Sequence, residues 1–465
     1  MLGLILDRSS ALPLGRQIAA HLRALILEGR LEVGTKLPSS RELAREWGVA
    51  RNVVTEVFEQ LTAEGYLTAR VGSGTVVSAL KDLSGRSSGT PPRPVRPVPR
   101  EKAGDTVDFS SACGTPDPES FPLARWKSCL TQAWDGLGAA DLGYGDIRGD
   151  LSLRTALATW LFRTKGVEAE PEQIFLTSGI TQSLDLVAGF LRGRMAGAVV
   201  EDPALTSLCR VVQGYGLPLT RIPVDGDGLQ TTAVPRSEKG RLWVLAPSHQ
   251  FPTGALLRVD RRLDVLERVR TEGGWVFEDD YDGDLRFRGS PVPPLVTLDP
   301  SRVIYAGTFN KSMFSGIRTG YMVVPPSLVS PLILYRESRG DWGALPVQKA
   351  LSLFITEGFY DRRLATLKKL YQGRRALIDG ILEQKFGAPA ALRGTGAGSH
   401  GWMTSPAPLD PGVFAGTAGV RVTAVGHYSK DPEPWRGAIL VGWGNLDAPR
   451  IERGLARLFG GGPTG

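Results

Sequence analysis

Lys311 follows an apolar run, RVIYAG, in the segment Thr308-Phe309-Asn310-Lys311. A cation at the end of a buried strand is costly unless its amine does chemistry, and a primary amine condenses with an aldehyde cofactor. Seven residues on, Arg318 in FSGIRTGY offers a guanidinium fork suited to a phosphate dianion. Glu278-Asp279-Asp280-Tyr281 follows the run WVF. A carboxylate there can keep a pyridine nitrogen protonated, and a nearby phenol can bond the ring's 3′ oxygen. Thr177-Ser178-Gly179-Ile180-Thr181-Gln182 opens a helix, whose first amides favour a phosphate. Pro247-Ser248-His249-Gln250-Phe251-Pro252-Thr253-Gly254 reads as a turn that would lie beside the ring.

Taken singly, each motif has an ordinary explanation. A lysine after a strand is usually surface, an acidic cluster is usually solvated, and a lone histidine such as His249 is usually structural. A metal site is the rival for the acidic cluster, but no histidine follows at ligand spacing, so none is expected. The conjunction carries the argument, because the same kind of element precedes most of these motifs. GAVVEDP at 197–203, RLWVLAP at 241–247, GWVFEDDY at 274–281 and RVIYAGTF at 302–309 are apolar runs, most ending in polar or charged residues. Buried parallel strands look like this when their C-terminal ends face a ligand. After about Pro346 the texture turns helical and then strand-like, which predicts a smaller C-terminal α+β lobe.

The chain has 465 residues, 42% hydrophobic and 22% charged, with a formal net charge of +7. Two or three domains are the natural expectation at that length. No apolar run approaches the roughly 18 residues of a membrane span. The N-terminus has no signal-peptide pattern, and Cys113, Cys129 and Cys209 are too few and too scattered for a disulfide framework. A cytoplasmic protein is expected. Residues 79–105 contain five prolines between Pro91 and Pro99, interleaved with arginines, and read as a semi-rigid linker. The expected division is a domain over 10–78, the linker over 79–105, and a large domain over 106–465.

Within the first domain, Ile18, Leu22, Leu25 and Ile26 mark one helical face, and Val54, Val57, Phe58 and Leu61 mark another. Ser39-Ser40-Arg41-Glu42 is a capping box for a short helix that ends at Gly48. Tyr66–Val71 and Thr75–Ser78, joined by Gly72-Ser73-Gly74, read as a hairpin. This is the element order of a winged helix-turn-helix. Such a motif offers the start of its second helix to base edges, here Arg51, Asn52 and Thr55, while Arg41 and the glycine wing would meet phosphates or the minor groove.

GTKLPSSRELAREWGVARNVVTEVFEQLTAEGYLTARVGSGTVV closely resembles the winged-helix domain of the GntR family. The large domain resembles fold type I aminotransferases, and nearly the whole chain, linker included, resembles the MocR subfamily of GntR regulators with its GabR-like and PdxR-like members. The resemblance implies a pyridoxal 5′-phosphate cofactor, with Lys311 forming the internal aldimine, Asp279 at the pyridine nitrogen and Tyr281 at the 3′ oxygen. Arg318, Thr308 and the Ile180-Thr181 amides would hold the phosphate. Tyr144, in LGYGDIRGD, matches the tyrosine that reaches the partner subunit's phosphate. It also implies a head-to-tail homodimer bound to double-stranded operator DNA.

Several positions depart from the family pattern. Ala50 stands where a serine usually caps the recognition helix. Leu205 replaces an aromatic residue stacked on the cofactor ring, Asn310 replaces a phosphate-binding serine, Thr181 a common glutamine, and Phe251 an asparagine. Leu440, in AILVGWGNL, stands near the position of the arginine that clamps a substrate carboxylate in the enzymes; Arg421, in GVRVTAVG, is a candidate substitute that its spacing does not establish. Efficient transamination is therefore not expected. The expected function is a transcriptional regulator that senses pyridoxal phosphate itself or an amino compound. The rivals are a working aminotransferase, opposed by Leu205 and Leu440, and a cofactor-free dimeric regulator, opposed by Lys311, Asp279 and Arg318.

Overall fold

The structure is a computed structural model, and it describes residues 3–70, 74–79, 106–290, 292–341, 343–386, 392–394, 396–405, 409, 412–416 and 418–459. Gly72, Ser73 and nearly all of the Pro/Arg-rich segment lie outside them. The chain divides into two compact units, residues 1–100 and 101–465.

In the first unit, helices Leu14–Leu27, Ser40–Trp47 and Arg51–Ala63 precede an antiparallel pair, Leu67–Arg70 with Gly74–Val77. Ile18, Leu22, Leu43, Val54 and Leu61 are fully buried, so the apolar stripes of the three helices meet in one core. The middle helix is fixed at both ends. Ser39 Oγ accepts from the Glu42 amide at 3.3 Å while the Ser39 amide donates to Glu42 Oε2 at 2.8 Å, and Gly48 adopts φ 61°, which lets the chain turn into the next helix. Ala50 sits at the N-cap of Arg51–Ala63 and supplies no cap.

The second unit is built on an eight-stranded sheet in the order 174–177, 320–323, 303–308, 275–280, 242–245, 198–202, 219–225 and 228–229. The pairings from Val303–Thr308 through Leu219–Asp225 are parallel. Gly320–Val323 runs antiparallel to both neighbours, which makes Ile174–Thr177 parallel to the central strands. Six strands therefore end at one edge, at Thr177, Asp202, Asp225, Leu245, Asp280 and Thr308. A small lobe follows, with a three-stranded sheet ordered His400–Thr404, Ala438–Gly442, Thr423–Ala424 and the helices Phe359–Phe386 and Ala448–Leu458. No described helix is long and apolar enough to cross a membrane.

Candidate cofactor site and nucleic-acid interface

The common strand edge gathers most of the predicted site residues. Asp279 lies one residue before the end of Trp275–Asp280 and is buried. Burial, with the nearby charges of Asp280, Asp282 and Glu201, pushes its carboxyl well above the usual range. Its Oδ1 has no hydrogen-bond partner among the described residues. A buried acceptor left without a donor costs about 1–3 kcal/mol, more for a charged group, so this atom points to a ligand that brings a proton.

Lys311 is half-buried and donates from Nζ to the Gly114 carbonyl at 3.1 Å. Burial lowers its pKa, opposed by Asp282, Cys113 and Asp279, which leaves more of the amine in its nucleophilic form. A Cβ on Gly114 would collide with that Nζ, so glycine is what lets the lysine lie there.

His249 is buried on the turn Pro247–Gly254, with Nδ1 2.9 Å from Asp282 Oδ1 and 3.2 Å from the Tyr281 hydroxyl. Burial works to lower its pKa, but Asp282 overrides it and raises it. The Tyr281 ring stacks on His249 at 5.9 Å. His400, which sequence reasoning did not single out, completes the group: its ring lies 5.2 Å from His249 and 5.2 Å from Phe251. Both of its nitrogens are buried without partners among the described residues, and burial, His249 and Lys311 hold its pKa well down. It belongs to a strand of the small lobe, 89 residues beyond Lys311, and no local pattern marks it.

At the Thr177 end, Gly179 (φ 124°) precedes helix Ile180–Leu191, which has no side-chain cap. A Cβ there would stand 2.9 Å from Asn310 Nδ2 and 3.4 Å from Thr308 Oγ1, so Gly179 keeps an open corner beside Thr308 and the Ile180-Thr181 amides. Asn310 knits this corner together, its Oδ1 accepting from the Thr319 amide at 3.3 Å and its Nδ2 donating to the Ser178 carbonyl at 3.5 Å. Arg318 is exposed with φ 46° and lines a cavity of about 260 Å³ with Thr177, Ser178 and Gln182. Tyr144 is 84% exposed on the surface of the protomer.

These observations fit pyridoxal phosphate: an unpartnered buried carboxyl, a lysine with lowered pKa, and a corner at a helix N-terminus that Gly179 keeps free of a side chain. Leu205 and Phe251 line a small cavity with Asp279, so apolar contact replaces an aromatic stack from Leu205. Leu440 is buried between Trp402 and Thr423 and carries no charge to that lobe. Arg421 NH1 lies 3.6 Å from Asp108 Oδ2 at the edge of a different, two-stranded sheet.

On the first unit, Arg51 and Asn52 are exposed at the start of helix Arg51–Ala63, Thr55 donates to the Arg51 carbonyl at 3.0 Å, and Arg41 is exposed on the preceding helix. Arg51 Nε lies 3.4 Å from Ser40 Oγ, which joins the two helices. Lys36, not singled out from sequence, packs its stem beside Gly74, where a Cβ would stand 2.9 Å from Lys36 Cε.

The fold and the site define a class: a DNA-binding winged helix joined to a pyridoxal-phosphate-dependent domain of aminotransferase fold. Residues 14–77 match the family described as bacterial regulatory proteins, gntR family, and residues 116–389 match aminotransferase class I and II. The chain is 32% identical to the probable rhizopine catabolism regulatory protein MocR of Rhizobium meliloti, over 98% of this chain and 95% of that one. It is 31% identical to the pyridoxine biosynthesis transcriptional regulator PdxR of Corynebacterium glutamicum, over 95% and 94%. The chain belongs to the MocR subfamily of GntR-type transcriptional regulators. Among solved structures, the multiple substrate aminotransferase of Thermococcus profundus superposes with a TM-score of 0.68 at 23% identity, covering 77% of this chain and 91% of that one. LysN, the alpha-aminoadipate aminotransferase of Thermus thermophilus, gives 0.68 at 25%, covering 77% and 92%.

Proposed function

We propose that this regulator senses pyridoxal phosphate, or an amino compound that competes for it, through Schiff-base chemistry at Lys311, and that it acts as a head-to-tail homodimer on operator DNA. The observation that carries the reading is the unpartnered Oδ1 of buried Asp279, close enough to Lys311 for each charge to act on the other. When bound, pyridoxal phosphate supplies an aldehyde that condenses with a primary amine and a ring that withdraws electrons once its nitrogen is protonated. Asp279 would face that nitrogen and hold the proton on it. Tyr281, whose hydroxyl lies 3.2 Å from His249 Nδ1, would present it to the 3′ oxygen. Thr308, Arg318 and the Ile180-Thr181 amides would hold the phosphate, and Tyr144 would reach the equivalent group of the partner protomer.

The same residues argue against turnover. Without a guanidinium at position 440, a substrate carboxylate loses a charged hydrogen-bond partner worth roughly 1.5–3 kcal/mol. Arg421 is engaged with Asp108. Pyridoxal phosphate itself, which needs no such clamp, is therefore the favoured effector. A ligand signals only through the difference in its affinity for two arrangements of the dimer.

The test is the visible absorption of the purified protein titrated with pyridoxal phosphate, beside Lys311→Ala. A saturable band in the wild type alone supports the reading. The same band in the variant, or no band in either, sinks it.

A further inference from the structure

A second cavity, of about 420 Å³, opens between the C-terminal end of helix Leu151–Lys165, the turn Gly283–Leu285 and helix Phe359–Phe386. Its volume falls in the range of ligand pockets, about 300–1,000 Å³. Two of its lining residues, Ser248 and Asp280, are chain neighbours of His249 and Asp279, so it backs onto the cofactor site without being part of it.

Every carboxylate lining this cavity already has a strong partner. Asp280 Oδ2 lies 2.5 Å from Lys165 Nζ and accepts from the Tyr305 hydroxyl at 2.6 Å; Asp284 Oδ1 lies 2.6 Å from the same Nζ. Asp361 accepts from Trp160 Nε1 at 2.9 Å and from Arg163 at 2.6 Å. The cations differ. Arg286 donates to carbonyls only, to Ser248 O at 3.0 Å and Arg288 O at 3.4 Å. Among the described residues, neither Arg286 nor Lys368 has a carboxylate within 4.0 Å. Because Arg163 neutralises Asp361 from outside the lining, Lys165, Arg286 and Lys368 leave the cavity with a surplus of positive charge. Ser248 lines the cavity as well, and its carbonyl holds the Arg286 guanidinium at the cavity wall.

We propose that this cavity binds a small oxyanion-bearing ligand, a carboxylate or a phosphate, through Arg286 and Lys368. A guanidinium and an ammonium converging on one volume suit either headgroup, the first as a fork and the second as a point charge.

The test is calorimetric titration of the full chain in saturating pyridoxal phosphate, which fills the cofactor's own phosphate corner, with inorganic phosphate and separately with succinate. At least one probe binds saturably, at one per protomer, and the preferred probe identifies the headgroup. Arg286→Gln and Lys368→Gln each weaken that binding by roughly ten-fold or more, the loss of one charged hydrogen bond, while Lys368→Arg retains it. Unchanged affinity in both glutamine variants, or no binding of either probe to the wild type, overturns the proposal.

Discussion

Asp279 and Asp280 are consecutive on one strand, yet their carboxyls are driven in opposite directions. Successive strand residues face opposite sides of a sheet. Asp279 sits on the cofactor side, where burial and other acids raise its pKa. Asp280 sits against Lys165, and although burial would raise it, that ammonium overrides the effect and holds it low. Asp284 shares the lysine but is raised, by burial first and by the Asp280 charge in addition. One cation thus secures one charge and leaves its second neighbour easy to protonate.

Replacing Asp279 with asparagine separates binding from stability. Pyridoxal phosphate affinity falls by roughly ten- to a hundred-fold, the value of a charged hydrogen bond, as read by absorbance titration. Because the folded pKa of Asp279 is raised, the folded cofactor-free protein holds a proton that the unfolded chain releases above about pH 4. The carboxyl therefore costs stability as pH rises from there toward its folded pKa. Urea unfolding of the cofactor-free protein finds Asp279→Asn more stable than wild type at pH 8, and the gain vanishes near pH 4. A variant less stable than wild type at pH 8 contradicts the burial argument.

Lys165→Met leaves two buried carboxyls without their cation. Breaking a buried pair by removing one partner costs about 3–5 kcal/mol, measurable by denaturant unfolding at neutral pH. Asp280, with its lowered folded pKa, contributes stability in the wild type above its unfolded pKa and loses it as pH falls through the folded value. The deficit of the variant accordingly shrinks below about pH 4, where its carboxyls are protonated in both states.

Ala50→Ser supplies the missing N-cap of the recognition helix. The backbone at Ala50 already has the extended φ −68°, ψ 144° of a cap residue. A gain of about 1 kcal/mol is expected, seen as roughly five-fold slower amide hydrogen exchange along Arg51–Ala63 if those amides open locally. Unchanged or faster exchange speaks against a productive cap.

Arg51→Ala weakens specific operator binding by about 1–3 kcal/mol if the guanidinium reads a guanine, whereas Arg41→Ala weakens binding to all sequences and lowers the salt slope by about one. Fluorescence anisotropy on operator and scrambled duplexes distinguishes the two. Equal losses on both duplexes for Arg51→Ala assign it to the phosphates.

Much of this was legible in the sequence because the winged helix is specified locally. Its caps, helical stripes and turn glycines lie within a few residues of what they control, and the structure moves only the ends: the first strand starts at Leu67 rather than Tyr66, the second runs Gly74–Val77 rather than Thr75–Ser78, and Val71 lies outside the described residues. The Lys311 and Asp279 motifs stood out for a different reason, as charged groups at the ends of buried strands. His400 and Lys165 did not. Lys165 reads as a solvated cation in the last turn of a helix, where it is expected anyway, and only the tertiary fold puts it against an acid 115 residues away. His400 acquires its meaning from the rings of His249, Tyr281 and Phe251, which a strand in the small lobe brings to it.

The hydrogen bond from Lys311 to Gly114 ties a chemical state to a mechanical one. Gly114 follows a short helix pinned to the small lobe, where the Gly444 amide donates to the Ala112 carbonyl at 3.0 Å and Ser399 Oγ donates to the Cys113 carbonyl at 3.2 Å. A free ammonium has three N–H bonds to give, and a nitrogen committed to a carbon–nitrogen double bond keeps at most one. Whatever engages Lys311 therefore competes for the N–H given to Gly114, at the point where the chain leads into the small lobe.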